Sequence, residues 1–177
     1  MHRLRALAAT LTLTCALTAC GDTEDEPTVA PAPTSDATSA PTSAATGDDP
    51  LVAPEDETAR EFLRRWVALI NRMQSTGDTE SYLAISGPDC VSCHQFARSV
   101  KEIYAAGGSI SGGTETVRSI AREKPYQWLV TVEAEPTRYT EKSDGPTKTL
   151  DGGVLKSRVF VVEVDGNWIV AESETVG

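Results

Sequence analysis

Between Gly21 and Pro54 the chain is built from Thr, Ser, Ala, Pro and Asp, and this confines any folded core to the residues beyond Pro54. Large apolar side chains are almost absent from the segment. Every charge in it is acidic: Asp22, Glu24, Asp25, Glu26, Asp36, Asp48 and Asp49. Such a stretch cannot bury enough apolar surface to offset the conformational entropy lost on folding, so it is expected to be disordered. At this length a flexible chain spans about 30 Å root-mean-square, and proline and charge stiffen it further. Its Thr/Ser/Pro richness also permits O-glycosylation. The remainder, 55–177, is short enough to be one domain with one core.

Ahead of this segment lies a three-part leader. Met1-His2-Arg3-Leu4-Arg5 is basic, Ala6 to Leu17 is an apolar run interrupted by Cys15, and Thr18-Ala19 precede Cys20. The run is too short to span a membrane and suits a signal peptide. Leu17-Thr18-Ala19-Cys20 reads as a lipobox, with cleavage before Cys20 and lipid on its sulfur. An ordinary secretory cut after Ala19 would leave no use for a cysteine there. The expected organisation is therefore a signal peptide over 1–19, a lipidated tether over 20–54 and a domain over 55–177. Processing removes Arg3 and Arg5 and no acid, so the formal charge of −10 becomes −12. That balance argues against nucleic acid, whose phosphates need Lys and Arg, and against electrostatic adhesion to anionic lipid. The lipid on Cys20 is then the membrane partner, on the extracytoplasmic face. A monomer is expected.

Within the domain, Ala59, Phe62, Leu63, Trp66, Ile70 and Met73 recur at helical spacing. Pro54-Glu55-Asp56-Glu57 places acids where a helix's first turn favours them, and Gly77 is a natural stop. Asp78 can cap a short second helix carrying Tyr82, Leu83 and Ile85, which Gly87-Pro88 breaks. A third helix is predicted from around 89–91, carrying Phe96, Val100, Ile103 and Tyr104 and ending at Gly107-Gly108. The period then changes. Tyr126, Trp128, Val130, Val132 and Ala134 alternate, as do Phe160, Val162 and Val164, which marks strands. Val159-Phe160-Val161-Val162 is apolar on both faces, as in a central strand. Val154 extends it backwards, and Asp165-Gly166-Asn167 turns it into Trp168-Ile169-Val170. Thr114 to Arg122 is a further strand, and residues 142–146 are an exposed hairpin tip. The pairs Gly112-Gly113 and Gly152-Gly153 would bend the sheet. Helices ahead of an antiparallel sheet make an α+β fold. The economical arrangement is a strongly curved sheet wrapped on the long first helix. In element order it resembles the nuclear-transport-factor-2-like cone, in which a pocket opens between helix and sheet.

Cys90-Val91-Ser92-Cys93-His94 holds the only thiols left once Cys15 and Cys20 are spent. Four readings compete. A Cys90–Cys93 disulfide suits an oxidising compartment and would staple the loop after Pro88 to the third helix. Covalent haem matches the C-x-x-C-H spelling with His94 as ligand, but Met73 is the only other Met or His of the mature chain. A redox dithiol at a helix start lacks the preceding strand of a thioredoxin-like unit. Zinc through Cys90, Cys93 and His94 lacks a second ligand pair, and adjacent Cys93 and His94 share one tetrahedral ion poorly.

Catalytic residues are not evident. Glu133 with Glu135, and Glu172 with Glu174, each share a strand face, where a solvated surface is the ordinary use. No nucleophile elbow, H-E-x-x-H or phosphate-cradling loop occurs. Trp66, Trp128 and Trp168 suit core packing better than a ligand pocket. The reading assigns no catalytic, metal or cofactor-binding residue.

Several features together resemble a family of small actinobacterial lipoproteins carrying a domain of unknown function. They are the Leu-Thr-Ala-Cys lipobox, the acidic tether, Phe62-Leu63-Arg64-Arg65-Trp66, Thr76-Gly77-Asp78, Cys90-Val91-Ser92-Cys93 and Tyr104-Ala105-Ala106-Gly107-Gly108 with Gly112-Gly113. The resemblance covers 55–177 and implies an extracytoplasmic lipoprotein with paired cysteines and no assigned activity. Two classes of function stand: a non-catalytic module binding an envelope ligand or protein partner, and a redox protein using Cys90 and Cys93 as a dithiol or, with His94, for haem. The first predicts a cleft between the first helix and the sheet.

Overall fold

The change of period at residue 107 becomes three helices and then seven strands in a computed structural model, which describes residues 49–177. The leader, Cys20 and the tether up to residue 48 lie outside the described residues.

Helix α1 (Ala59–Thr76) starts at a capping box: Glu61 N–H donates to Thr58 Oγ1 at 3.3 Å, and Thr58 N–H donates to Glu61 Oε2 at 2.9 Å. This box satisfies the free donors of the first turn, so the helix begins after Glu55, Asp56 and Glu57 rather than on them. Glu57 is used otherwise. It receives Arg65 Nε at 2.6 Å and Nη2 at 2.7 Å, with both side chains largely buried. Its carbonyl accepts the Trp168 indole N–H at 2.7 Å, which ties the helix entry to the last hairpin. Gly77 ends the helix in the left-handed conformation.

Short α2 (Glu80–Ala84) comes next, capped at Thr79 rather than at Asp78 as expected: Asp78 lies one residue earlier, where its Oδ1 accepts the Glu80 N–H at 3.1 Å in a local turn. Helix α3 (Val91–Ala105) carries its apolar face inward.

The strands are β1 (Ser109–Gly112), β2 (Glu115–Lys124), β3 (Gln127–Ala134), β4 (Thr137–Thr140), β5 (Lys148–Leu150), β6 (Gly153–Val164) and β7 (Asn167–Val176), all paired antiparallel. They form a four-stranded sheet, β2-β3-β6-β7, and a three-stranded sheet, β1-β4-β5. The single curved sheet expected is thus divided at one line. β1 meets β2 at Gly112-Gly113, β3 meets β4 at Glu135-Pro136, and β5 meets β6 at Asp151-Gly152. Gly113 N–H donates to the Pro136 carbonyl at 3.2 Å and Glu135 N–H to the Thr114 carbonyl at 3.0 Å, so the breaks lie side by side. Side chains are excluded there. A Cβ on Gly112, whose φ is 69°, would collide with the Pro136 carbonyl oxygen, and one on Gly152 with the Ala134 carbonyl oxygen. The two glycine pairs therefore bend the sheet by ending three pairings at once.

β6 is central, paired on one side with β3 and on the other with β7. Tyr126 differs from the alternation read for it: it sits in the turn after Pro125 at φ 66°, largely exposed, and the strand begins at Gln127. Proline fixes the corner of that turn, and the Tyr126 carbonyl, at its end, accepts the Val161 N–H of β6 at 2.8 Å. The core lies where Phe62, Leu63, Trp66, Ile70 and Met73 of α1, with Ala97 and Val100 of α3, meet Ile120, Val130, Val132, Val159, Val161 and Val170. Each fully buried side chain of this size contributes about 1.5–3 kcal/mol.

Candidate functional site

The cleft expected between the first helix and the sheet is present. It is a cavity of about 240 Å³, walled by Trp66 and Ile70 of α1, Tyr82 of α2, Ser92, Cys93 and Phe96 of α3, and the strand residues Glu115, Val132, Leu155, Ser157, Ser173 and Thr175. None of its lining residues is basic.

Its polar groups are held in place by the fold. Glu115 opens β2, and its backbone is clamped by one side chain of α1. Asn71 Nδ2 donates to the Glu115 carbonyl at 2.9 Å, and Glu115 N–H donates to Asn71 Oδ1 at 2.8 Å. Two opposed hydrogen bonds fix both the position and the direction of the strand start against the helix. Burial holds the Glu115 carboxyl above the usual carboxylate range, and no Lys or Arg among the described residues pairs with it. A carboxyl whose pKa is raised by desolvation alone lacks a partner. Burial also pushes the Tyr82 hydroxyl up to about 12; the Trp66 indole N–H beside it lowers the value, and the charge of Glu115 raises it further. Trp66 is buried, and its Nε1 reaches no acceptor with hydrogen-bond geometry among the described residues.

A second, larger groove of about 570 Å³ lies between α3 and the β1-β4-β5 sheet, with Phe96, Ile103, Ile110, Tyr139 and Leu150 among its walls. It has more room and its own polar residues, but its carboxylates, Glu102 and Glu141, are exposed, and Glu141 is paired with Lys148 at 2.6 Å. Neither buried unpartnered polar atom among the described residues, Trp66 Nε1 or Arg72 Nε, lines it. Shape alone favours the groove; chemistry favours the inner cavity.

Of the sequence-predicted residues, Cys90 and Cys93 are together: their sulfurs lie at disulfide distance, with Cα atoms 5.3 Å apart, at the start of α3. Both are buried, and Cys93 forms part of the cavity wall. His94 turns its Nε2 to the Gly87 carbonyl at 3.1 Å. Met73 is fully buried in the core. Trp66 is core and cavity wall at once. Trp128 is half-buried, with the Arg60 and Arg122 guanidinium carbons each 5.8 Å from its ring centroid, and Trp168 closes over Glu57. Glu133 pairs with Arg118, and Glu174 with Arg158, whose Nη1 lies at 2.6 Å. These carboxylates serve surface ion pairs, as their strand-face positions suggested. Glu115, Asn71 and the cavity role of Tyr82 were not visible in sequence order, because Asn71 and Glu115 meet across 44 positions. Among the described residues no group of three or more His, Cys, Asp or Glu converges as a metal site.

The chain belongs to the family described as "Family of unknown function (DUF6318)", which matches residues 50–174. No curated protein matches it. Solved structures similar to it include an NTF-2 like protein of unknown function from Shewanella oneidensis, at 12% identity over 64% of this chain and 94% of that one, with a TM-score of 0.38. An uncharacterised protein with a cystatin-like fold from Caulobacter vibrioides is 17% identical over 65% of this chain and 87% of that one, TM-score 0.38. The intermembrane space region of the chloroplast protein ARC6 is 12% identical over 68% of this chain and 98% of that one, TM-score 0.44.

Proposed function

We propose that the chain is an extracytoplasmic lipoprotein. Lipid on Cys20 anchors it, and its domain is a non-catalytic module that binds a small ligand in the inner cavity. The observation that carries the binding role is a carboxyl without a basic partner, Glu115, its pKa raised by burial on the wall of a cavity lined by Trp66, Tyr82 and Phe96. Folding gains nothing from leaving such a carboxyl unpaired, whereas a ligand that meets it gains specificity. The leader and the Leu17–Cys20 motif support the anchor, and no helix among the described residues is long and apolar enough to cross a membrane. The burial of Cys90 and Cys93 supports a structural staple over dithiol exchange, because an attacking thiolate needs access to sulfur.

Two experiments test this reading. Metabolic labelling with palmitate should mark the wild type and not Cys20→Ala, and the variant should be released from membranes. For the cavity, a panel of small envelope metabolites is screened by thermal shift against the wild type and the cavity-filling variant Ser157→Phe. At least one compound should raise the melting temperature of the first and not the second. If every stabilising compound acts equally on both proteins, the cavity is not the binding site.

A further inference from the structure

The proposed binding role leaves the ligand's charge open, and the cavity's composition narrows it. Three aromatic residues, Trp66, Tyr82 and Phe96, share the lining with one carboxyl, Glu115. Tyr82 and Phe96 meet edge to face, ring centroids 6.1 Å apart at 87°. A ligand carboxylate or phosphate would meet Glu115 with no Lys, Arg or His in the lining to offset the repulsion. A cation meets the opposite situation. Its charge faces an unpaired carboxyl, and aromatic ring faces attract it electrostatically, most strongly when it is desolvated. The chain as a whole carries a formal charge of −10, which also favours encounter with cations. The remaining lining groups constrain the rest of the molecule. Ser157, Ser173 and Thr175 supply hydroxyls to the lining. At about 240 Å³ the cavity is smaller than sites for drug-sized ligands, which run to about 300–1,000 Å³.

We propose that the inner cavity takes a small organic ammonium compound. Its cationic nitrogen lies against Glu115 among the aromatic lining residues. This rests on the cavity being the binding site.

Isothermal titration calorimetry with three probes of closely similar shape tests the ligand class. They are choline, its uncharged isostere neohexyl alcohol with carbon in place of nitrogen, and the anion tert-butylacetate. Choline should bind at least about tenfold more tightly than the alcohol, and the anion should not bind measurably. Glu115→Gln should weaken choline by about tenfold and leave the alcohol unchanged. Ser157→Phe should abolish both, with its melting curve reporting that it is folded. Equal affinity for choline and the alcohol, binding of the anion, or an unchanged choline affinity in Glu115→Gln would overturn the ammonium proposal. If Ser157→Phe still removes all binding in those cases, the cavity reading survives and only the ligand class is wrong. Failure of choline to bind the wild type also overturns the ammonium proposal, and the metabolite panel then decides the cavity reading by itself.

Discussion

β3 and β4 are separated by two residues, yet β3 buries Gln127, Val130 and Val132 whereas β4 buries nothing, and its neighbour β5 is exposed throughout. The same contrast divides the whole molecule along the Gly112–Pro136–Gly152 line. On one side α1 and α3 cover the β2-β3-β6-β7 sheet and wall the small cavity with the unpaired Glu115. On the other, only the outer flank of α3 and the end of α1 reach the β1-β4-β5 sheet, and the larger groove between them stays open. Enclosure by the helices, rather than strand pairing, decides where desolvation builds unusual chemistry. The antiparallel pairing is continuous up to the line from both directions; only what covers the strands changes.

The largest effects should therefore come from the covered half. Phe62 is fully buried on α1 within the core cluster. Phe62→Ala should cost about 3–5 kcal/mol, through lost burial plus the cavity left behind, measured by urea unfolding. A loss below about 1 kcal/mol would mean that α1 is not the keystone of this half.

Next comes the line itself. Gly112→Ala forces an L side chain into the left-handed region and against the Pro136 carbonyl. The conformational part alone should cost about 1–2 kcal/mol. If the substitution is neutral in thermal unfolding, the breaks are a loose connection and the two halves do not share a rigid bend.

Much of the covered half was legible in the sequence because burial on one face writes a period. The α1 stripe from Phe62 to Met73 predicts the helix, and Val159–Val162 predicts the central strand, since only a strand covered on both sides tolerates such a run. The glycine pairs likewise predict the bend. The open half left no such mark. β1, β4 and β5 are short, three or four residues each, and exposure removes the alternation that would have revealed them. The helix start differs from its sequence signal because Glu55, Asp56 and Glu57 suit a first turn on electrostatic grounds, while the Thr58–Glu61 box satisfies the backbone one step later. The candidate site was hardest to see. Trp66 and Tyr82 read as core residues, which they also are. Glu115 reads as an ordinary polar residue at a strand start, and only the Asn71 clamp and the helices above it make it a desolvated acid.

That desolvation gives a pH-dependent comparison. Glu115 has its ordinary value near 4.5 in the unfolded chain and a higher one in the folded protein. The folded state thus holds the proton to higher pH. The stability contribution of the protonated carboxyl is fully present below the ordinary value and is lost as pH rises through the folded one. Glu115→Gln keeps the shape and removes the titration. Its melting temperature should exceed that of the wild type at neutral pH, and the advantage should vanish in acid. An advantage that is independent of pH, or reversed at neutrality, would mean that the carboxylate is met by a favourable partner and that the cavity is not desolvating.

The smallest effect should come from the open half. Leu150 is the largest apolar side chain of β5, it faces the outer groove, and it is 56% exposed. Truncating it removes contacts that solvent already shares, so Leu150→Ala should change stability by no more than about 0.5 kcal/mol, the range of surface substitutions. The pairing of Leu150 with Thr137 runs through the backbone and survives the change. A loss of about 2 kcal/mol or more by urea unfolding, the size of a core truncation, would show that the groove closes over Leu150 in solution. The two halves would then be two cores divided by a bend, and the chemical distinction between the inner cavity and the outer groove would no longer follow from how the helices lie.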